Sequence, residues 1–230
     1  MNGSDHGDRR APRWLALLLL FVAPAALRLA AIDHGLPQNH VPDTHVVRSA
    51  LGMAQDKSLA PPTGRYSTYP NLLPYSLLPV FAAEYVGGRL VGAWSGSGEF
   101  ANAVLDSPRL VHLPARVVLA LIASLAPYFL YRAGRVAGLG RGAWVAGGLA
   151  ATSLLHVQFS VQERPWAPMV AFTALALWPA ARYVRLGSLR DLLLCGGALG
   201  LGAATHQAGL PLLLVAGLAW LAGPLHYGGA

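Results

Sequence analysis

The chain has 230 residues, of which 54% are hydrophobic and only 12% charged, and its formal net charge at pH 7 is +7. This balance excludes an ordinary water-soluble domain, in which about a quarter of the residues are charged. It also excludes a nucleic-acid-binding protein, because the arginines flank apolar runs and do not gather on one face among aromatic and polar neighbours.

The first predicted element is the apolar run at 14–32, which follows an N-terminal tail at 1–13 containing Arg9, Arg10 and Arg13. A helix needs roughly 20 apolar residues to cross a bilayer, so this run is long enough. Positive charge stays on the cytoplasmic side, which places the tail in the cytoplasm. No small-residue cleavage site follows the run. We therefore predict an uncleaved first transmembrane helix.

Residues 33–113 form the predicted outer loop, which begins with a polar, Pro- and His-rich segment. Within it, 44–59 has the pattern of an amphipathic helix lying on the membrane surface. Its predicted apolar face consists of Val47, Leu51, Ala54 and Leu59.

The later part of this loop contains an apolar run at 70–94 that Pro74, Pro79 and a Gly-Gly pair interrupt. A single crossing here would put the two most basic connectors further along on opposite sides of the membrane, against the positive-inside rule. We therefore predict a kinked juxtamembrane or re-entrant segment packed against protein. The alternative is a helical hairpin that crosses twice.

The region 114–225 holds the remaining predicted spans, and 226–230 is a short C-terminal tail. The spans lie at 114–131, 143–157, 167–181, 191–205 and 209–225. The connectors at 132–141 and 182–190 carry three arginines each and are predicted to be cytoplasmic. The sequence thus predicts an all-α, polytopic helical bundle of about six transmembrane helices in the plasma membrane.

The outer loop contains a group of side chains that are metal-ligand types: His34, His40, Asp43 and His45. Their spacing matches no defined ligand motif, so the sequence leaves open whether a divalent metal ion binds to them. Asp43 follows Pro42 and directly precedes the amphipathic segment. It is therefore either the N-cap of that helix or a catalytic carboxylate.

Two arginines lie within or beside predicted spans, Arg28 near the end of the first and Arg116 near the start of the second. An arginine at membrane depth is costly, and by default it marks function or pairing. Its planar fork suits two oxygens of a phosphate group. The alternative is that each side chain extends to the interface and has no special role.

Three further polar residues lie on the same predicted outer face. Glu163 and Arg164 interrupt the apolar sequence between two spans, and His206 ends a later span. The alternative interpretation is that Glu163 and Arg164 lie in a solvated loop and that His206 is an ordinary interfacial histidine. The lone Cys195 lies in an apolar run, which excludes an internal disulfide and a zinc site built on thiolates.

Several short motifs occur in order along the chain. They are Leu27-Arg28-Leu29, Gly35-Leu36-Pro37, Pro42-Asp43, Tyr69-Pro70-Asn71-Leu72-Leu73, Pro114-Ala115-Arg116, Leu155-His156-Val157-Gln158-Phe159-Ser160, Arg164-Pro165 and Ala204-Thr205. In this order they resemble the GT-C superfamily of polyprenyl-phosphate-sugar-dependent glycosyltransferases, in particular the bacterial group related to protein O-mannosyltransferases and aminoarabinose transferase. The resemblance covers nearly the whole chain, which corresponds to the N-terminal half of a typical member.

The resemblance implies transfer of a sugar from a polyprenyl-phosphate carrier to an acceptor hydroxyl at the outer face of the membrane. Asp43 matches the first-loop aspartate of the family, which implies a general base. Arg116 and Arg28 would bind the donor phosphate, and the implied supporting residues are Glu163, Arg164, His206 and His45. The implied partners are the lipid-linked sugar and membrane lipid, together with a second membrane subunit that would supply the missing half.

The sequence departs from the family pattern at three positions. Thr44 stands where members usually have Glu, Trp166 where Asp is common, and His206 where Lys is frequent. These departures favour a second hypothesis, a catalytically silent relative that binds lipid-linked sugar or holds a partner subunit. A small transporter is a third hypothesis, and the lack of an internal repeat disfavours it.

Overall fold

The protein is described by a computed structural model covering residues 12–36, 44–60 and 70–223, and these residues form helices and connecting turns with no β-strand. The helices are α1 (Arg13–Leu17), the π-helical η1 (Leu18–Val22), α2 (Ala23–Ala30), α3 (His45–Gln55), α4 (Leu72–Leu90), α5 (Ser97–Asp106), α6 (Arg109–Ala123), α7 (Leu125–Val136), α8 (Gly142–Thr152), α9 (Leu154–Ser160), α10 (Trp166–Leu186), α11 (Leu189–Thr205), the 3₁₀-helical η2 (Gln207–Leu213) and α12 (Leu214–Ala222). The predicted all-α class is confirmed.

Elements α1, η1 and α2 join end to end into one helix, Arg13–Ala30. The π-helical turn ends just before Pro24, which has no N–H to donate and whose ring crowds the preceding turn. A π-helical turn is wider than an α-helical one, so the chain passes this proline without a break.

Among the described residues, two helices are long and apolar enough to cross a membrane, Arg13–Ala30 and Arg109–Val136, the second of which combines α6 and α7. A shorter apolar helix occupies Gln207–Ala222. The predicted span at 143–157 is divided between α8 and α9, whereas the predicted spans at 167–181 and 191–205 lie within α10 and α11. The number of crossings, about six, stays a prediction.

The predicted surface helix is present as α3, but its buried face differs from the predicted one. Ala54 and Leu59 are exposed, whereas Val47 is fully buried. The buried face of α3 consists of Val46, Val47, Ser49, Ala50 and Met53. Val47 and Leu51 of the predicted face do pack in the cluster with α4 and α6, so the prediction was wrong only for Ala54 and Leu59. Packing against α4 and α6 sets the rotation of the helix, and α3 ends at Gln55 before Leu59 can join it.

The interrupted run at 70–94 forms a single helix, α4, with Pro79 inside it. Its buried residues Leu73, Leu77 and Phe81 share one cluster with Val111 and Leu119 of α6. The backbone of α4 is therefore helical across Pro79 and the Gly87-Gly88 pair. Its juxtamembrane position stays a prediction.

The C-terminal part of the bundle is built by α10, α11 and α12, which share a cluster around Cys195, Leu199 and Ala219. Helix α10 ends at Gly187, whose φ of 66° is the left-handed conformation typical of a glycine after a helix. The turn at Gly209 lies so close to α11 that a Cβ there would be 2.8 Å from the backbone of Gly202. Glycine thus allows η2 to fold back on α11.

Arginines mark both ends of the bundle. Arg116 is near the start of the second long helix and Arg135 near its end, nineteen residues later, which is about 28 Å along the axis at about 1.5 Å per residue. Helix α10 runs in the same sense, starting just after Glu163 and ending just after Arg185. The first long helix runs the opposite way, because Ala16 near its start packs against Tyr131.

Candidate functional site

The centre of the candidate site is Arg116, which is only 1% exposed on the buried side of α6. Its Nε donates to Glu163 Oε1 at 2.8 Å, and its Nη1 donates to the backbone carbonyls of Ile32 at 3.1 Å and His34 at 2.9 Å. Its Nη2 is buried without a hydrogen-bond partner among the described residues. The side chain therefore does not extend to the interface, and it ties α6 to the end of the first long helix.

Glu163 lies in the turn between α9 and α10 and is fully buried. Its Oε1 accepts from Arg116 and also lies 3.1 Å from Nδ1 of His112. An ionised carboxylate only accepts hydrogen bonds, so in this pairing His112 donates from Nδ1. The alternative of a solvated loop is wrong for Glu163, because a buried carboxylate needs such partners.

Sequence reasoning missed His112, although a signal for it exists. His112 and Arg116 are four residues apart in α6, and side chains at this spacing lie on one face of a helix. A histidine one turn before a buried arginine is therefore a candidate to share the same carboxylate.

Arg28 is fully buried and joins α2 to α9. Its Nε donates to Ser160 Oγ at 2.8 Å, its Nη1 to the Pro24 carbonyl at 3.0 Å, and its Nη2 lies 2.9 Å from His156 Nδ1. A guanidinium can only donate, so His156 accepts at Nδ1 and carries its proton on Nε2.

His206 is also buried and lies at the same end of the bundle. Its ring centroid is 4.1 Å from that of Trp166, the first residue of α10. Its Nδ1 accepts from the backbone N–H of Ala208 at 3.0 Å and so caps η2. Trp166 and His206, the two later positions at which the resemblance implies a departure from the family pattern, are thus in contact with each other.

The remaining predicted residues are less central. The guanidinium of Arg164 lies over the ring of Phe159 at 5.4 Å. His45 is the first residue of α3, and the N-cap position of that helix belongs to Thr44. Asp43 lies outside the described residues, one position before that cap. Its predicted role is therefore untested by the geometry.

Metal binding can be judged only for the described part of the chain. Within 12–36, 44–60 and 70–223, no group of three or more His, Cys, Asp or Glu side chains is placed to hold a metal ion. His40 and Asp43, two of the four metal-ligand candidates in the outer loop, are outside these ranges.

The buried side chains of Arg116 and Arg28 and their partners, together called the polar cluster, carry more positive than negative charge among the described residues. Arg116 is paired with Glu163, whereas the contacts of Arg28 are to a hydroxyl, a carbonyl and a neutral histidine. Buried charges are normally paired because burial without a partner is costly. An excess of positive charge, together with the buried Nη2 of Arg116 that has no partner among the described residues, is suited to an anionic ligand.

Residues 109–226 match the family profile described as dolichyl-phosphate-mannose-protein mannosyltransferase. This is about half of the chain, and it includes Arg116, Glu163 and His206 but neither Arg28 nor Asp43. No curated protein and no solved structure matches the chain. With a match of this extent, covering the helices that carry the Arg116–Glu163 pair, the chain belongs to the dolichyl-phosphate-mannose-protein mannosyltransferase family, of the GT-C type.

Proposed function

We propose that this protein transfers a sugar from a polyprenyl-phosphate carrier to an acceptor hydroxyl at the outer face of the plasma membrane. The family supports glycosyl transfer from a lipid-linked sugar. The observation that carries the proposal is the buried, partnerless Nη2 of Arg116 beside a cluster with excess positive charge. Such a donor suits a phosphate oxygen of the carrier.

In the proposed reaction the acceptor oxygen attacks the anomeric carbon of the sugar, and the bond from that carbon to the phosphate oxygen breaks. The electron pair of this bond remains on the polyprenyl phosphate, which leaves with additional negative charge. Arg116 stabilises that charge, because a fixed cation acts most strongly where charge develops in a site that excludes water. The proton of the acceptor hydroxyl passes to the carboxylate of Asp43, acting as general base.

Glu163 and His112 have positioning roles in this proposal. Glu163 fixes the guanidinium of Arg116 through Nε, and the carbonyls of Ile32 and His34 fix Nη1. Because Nε and Nη1 are held by these hydrogen bonds, the N–H bonds of Nη2 point in a fixed direction. Arg28 supports the same end of the bundle from α2 and adds positive charge for the donor phosphate.

The experiment is sugar transfer in membranes supplied with a radiolabelled polyprenyl-phosphate sugar. Asp43→Asn is expected to lower the rate by about 10² to 10⁴, the contribution typical of a general base. Asp33→Asn is the matched control, because Asp33 is an exposed carboxylate in the same loop whose contact is a surface ion pair with Arg109. Transfer by Asp43→Asn at the wild-type rate would refute the base.

A second candidate function is a silent relative that binds lipid-linked sugar and holds a partner membrane subunit. The observation that favours it is the packing of His206 on Trp166, since both residues replace polar groups usual in the family. This candidate predicts no transfer by the wild type, retained binding of the labelled donor, and co-purification with a second membrane protein. Transfer by the wild-type chain purified alone excludes it.

A further inference from the structure

The opposite end of the bundle contains a cavity of about 520 Å³ that the proposed reaction does not use. Five arginines line it, contributed by the first long helix, α7 and α10: Arg13, Arg132, Arg135, Arg182 and Arg185. Its size lies in the range of small-molecule binding sites, which is about 300 to 1,000 Å³.

This cavity is remote from the Arg116–Glu163 pair. Along the continuous helix from α6 to α7, Arg116 and Arg135 are separated by about 28 Å, close to the thickness of a bilayer core. The two sites therefore cannot share one phosphate group. The basic cavity is at the membrane face that the positive-inside rule assigns to the cytoplasm.

Aromatic side chains hold two of these arginines in place. The guanidinium of Arg132 lies 4.4 Å from the ring centroid of Trp178 and donates from Nη1 to the Tyr128 hydroxyl at 2.8 Å. Arg182 lies 5.6 Å from the same Trp178 ring and 3.3 Å from the carboxylate of Asp191. Stacked guanidinium groups keep their in-plane N–H donors available for planar recognition of anions.

We propose that this cavity binds a phosphate-bearing anion. Several guanidinium forks converging on one space can donate pairs of hydrogen bonds to phosphate oxygens, which is the strongest form of such recognition. Basic pockets between helices on the cytoplasmic side of a membrane are suited to the head groups of anionic lipids. A soluble phosphate compound offers the same chemistry, so the test distinguishes the two sources.

The test uses the full chain purified in detergent and native mass spectrometry. One arm adds phosphatidylglycerol, with phosphatidylcholine as the uncharged comparison, and the other adds inorganic pyrophosphate. The lining variant is Arg132→Gln together with Arg135→Gln. The matched control is Arg141→Gln together with Arg190→Gln, which removes the same charge from exposed positions in the two connectors at this end of the bundle.

The wild-type protein is expected to retain one of the probes at about one molecule per chain. The lining variant is expected to bind that probe at least about tenfold more weakly, because charge-assisted hydrogen bonds are lost. The control is expected to bind within about threefold of wild type, because its arginines do not line the cavity. Retention of phosphatidylglycerol identifies a lipid head group, and retention of pyrophosphate a soluble phosphate. Equal loss in both variants, or no binding of either probe by wild type, would overturn the proposal.

Discussion

Residue by residue, the most informative contact is the ion pair between Arg116 and Glu163, in which both side chains are at most 1% exposed. Such a pair is not strong evidence of stability, because removing two charges from water costs several kcal/mol for each ion. The presence of this costly ion pair is explained if the protein needs the positive charge of Arg116. The pair thus connects the stability of the fold to the proposed chemistry.

Glu163→Leu is expected to lower the free energy of unfolding by about 3 to 5 kcal/mol, because it leaves the buried charge of Arg116 without a counter-ion. The double variant Arg116→Met, Glu163→Leu should recover much of this loss while sugar transfer stays absent. Thermal unfolding in detergent and the transfer assay measure the two effects.

The control for this prediction is the exposed pair Arg109–Asp33, whose side chains are about half exposed. Asp33→Leu leaves a guanidinium in water, so its cost should be about 0 to 1 kcal/mol. If Glu163→Leu were no more damaging than Asp33→Leu, the buried pair would have no structural role.

Among the helices, the fold depends on close approaches that only small residues permit. A Cβ at Gly209 would be 2.8 Å from the backbone of both Gly202 and Ala203, so η2 and α11 touch backbone to backbone. Backbone atoms cannot rotate away as a flexible side chain can. The position of η2 beside His206 therefore depends on this glycine.

Gly209→Ala is expected to destabilise the protein by about 1 to 3 kcal/mol, the range for overpacking a well-filled site. Gly217→Ala in α12 is the matched control, because a Cβ there would meet nothing within 4 Å. This control should be neutral or stabilising by up to about 1 kcal/mol, since alanine favours the helix. If the melting temperature fell equally in both variants, the close contact between Gly209 and the backbone of α11 would be contradicted.

Across the whole molecule, two arginine-rich regions lie at opposite ends of the helices. One holds Arg28 and Arg116 in a buried polar cluster, and the other surrounds the basic cavity at the ends of α7 and α10. This division matches the predicted topology, in which the connectors at 132–141 and 182–190 face the cytoplasm. The proposed reaction and the proposed anion site would then be on opposite faces of the membrane.

Cysteine labelling tests this orientation. In a Cys195→Ala background, Asp106→Cys in the predicted outer loop should react with a membrane-impermeant maleimide added to intact cells. Arg141→Cys and Arg190→Cys should react only after the cells are opened, because the reagent cannot cross the bilayer. All three positions are exposed, so accessibility within the protein does not limit the reaction. Reaction of either arginine-replacing cysteine in intact cells would reverse the proposed orientation.

The amino-acid sequence alone was enough to predict the helical class and to single out Arg28 and Arg116. Apolar runs separated by basic connectors have few solutions in lipid, because every backbone group must be satisfied within a helix. Arg28 and Arg116 stood out because each charge lies among apolar neighbours. None of these inferences requires knowledge of which helices touch.

The partners of these residues follow from how the helices pack, which the sequence does not show. Arg116 meets Glu163, 47 positions away, and Arg28 meets Ser160, 132 positions away. The rotation of each helix about its axis sets such contacts, and packing between helices fixes that rotation. The same cause left Ala54 of α3 exposed against the prediction and gathered five arginines from three separate helices around one cavity.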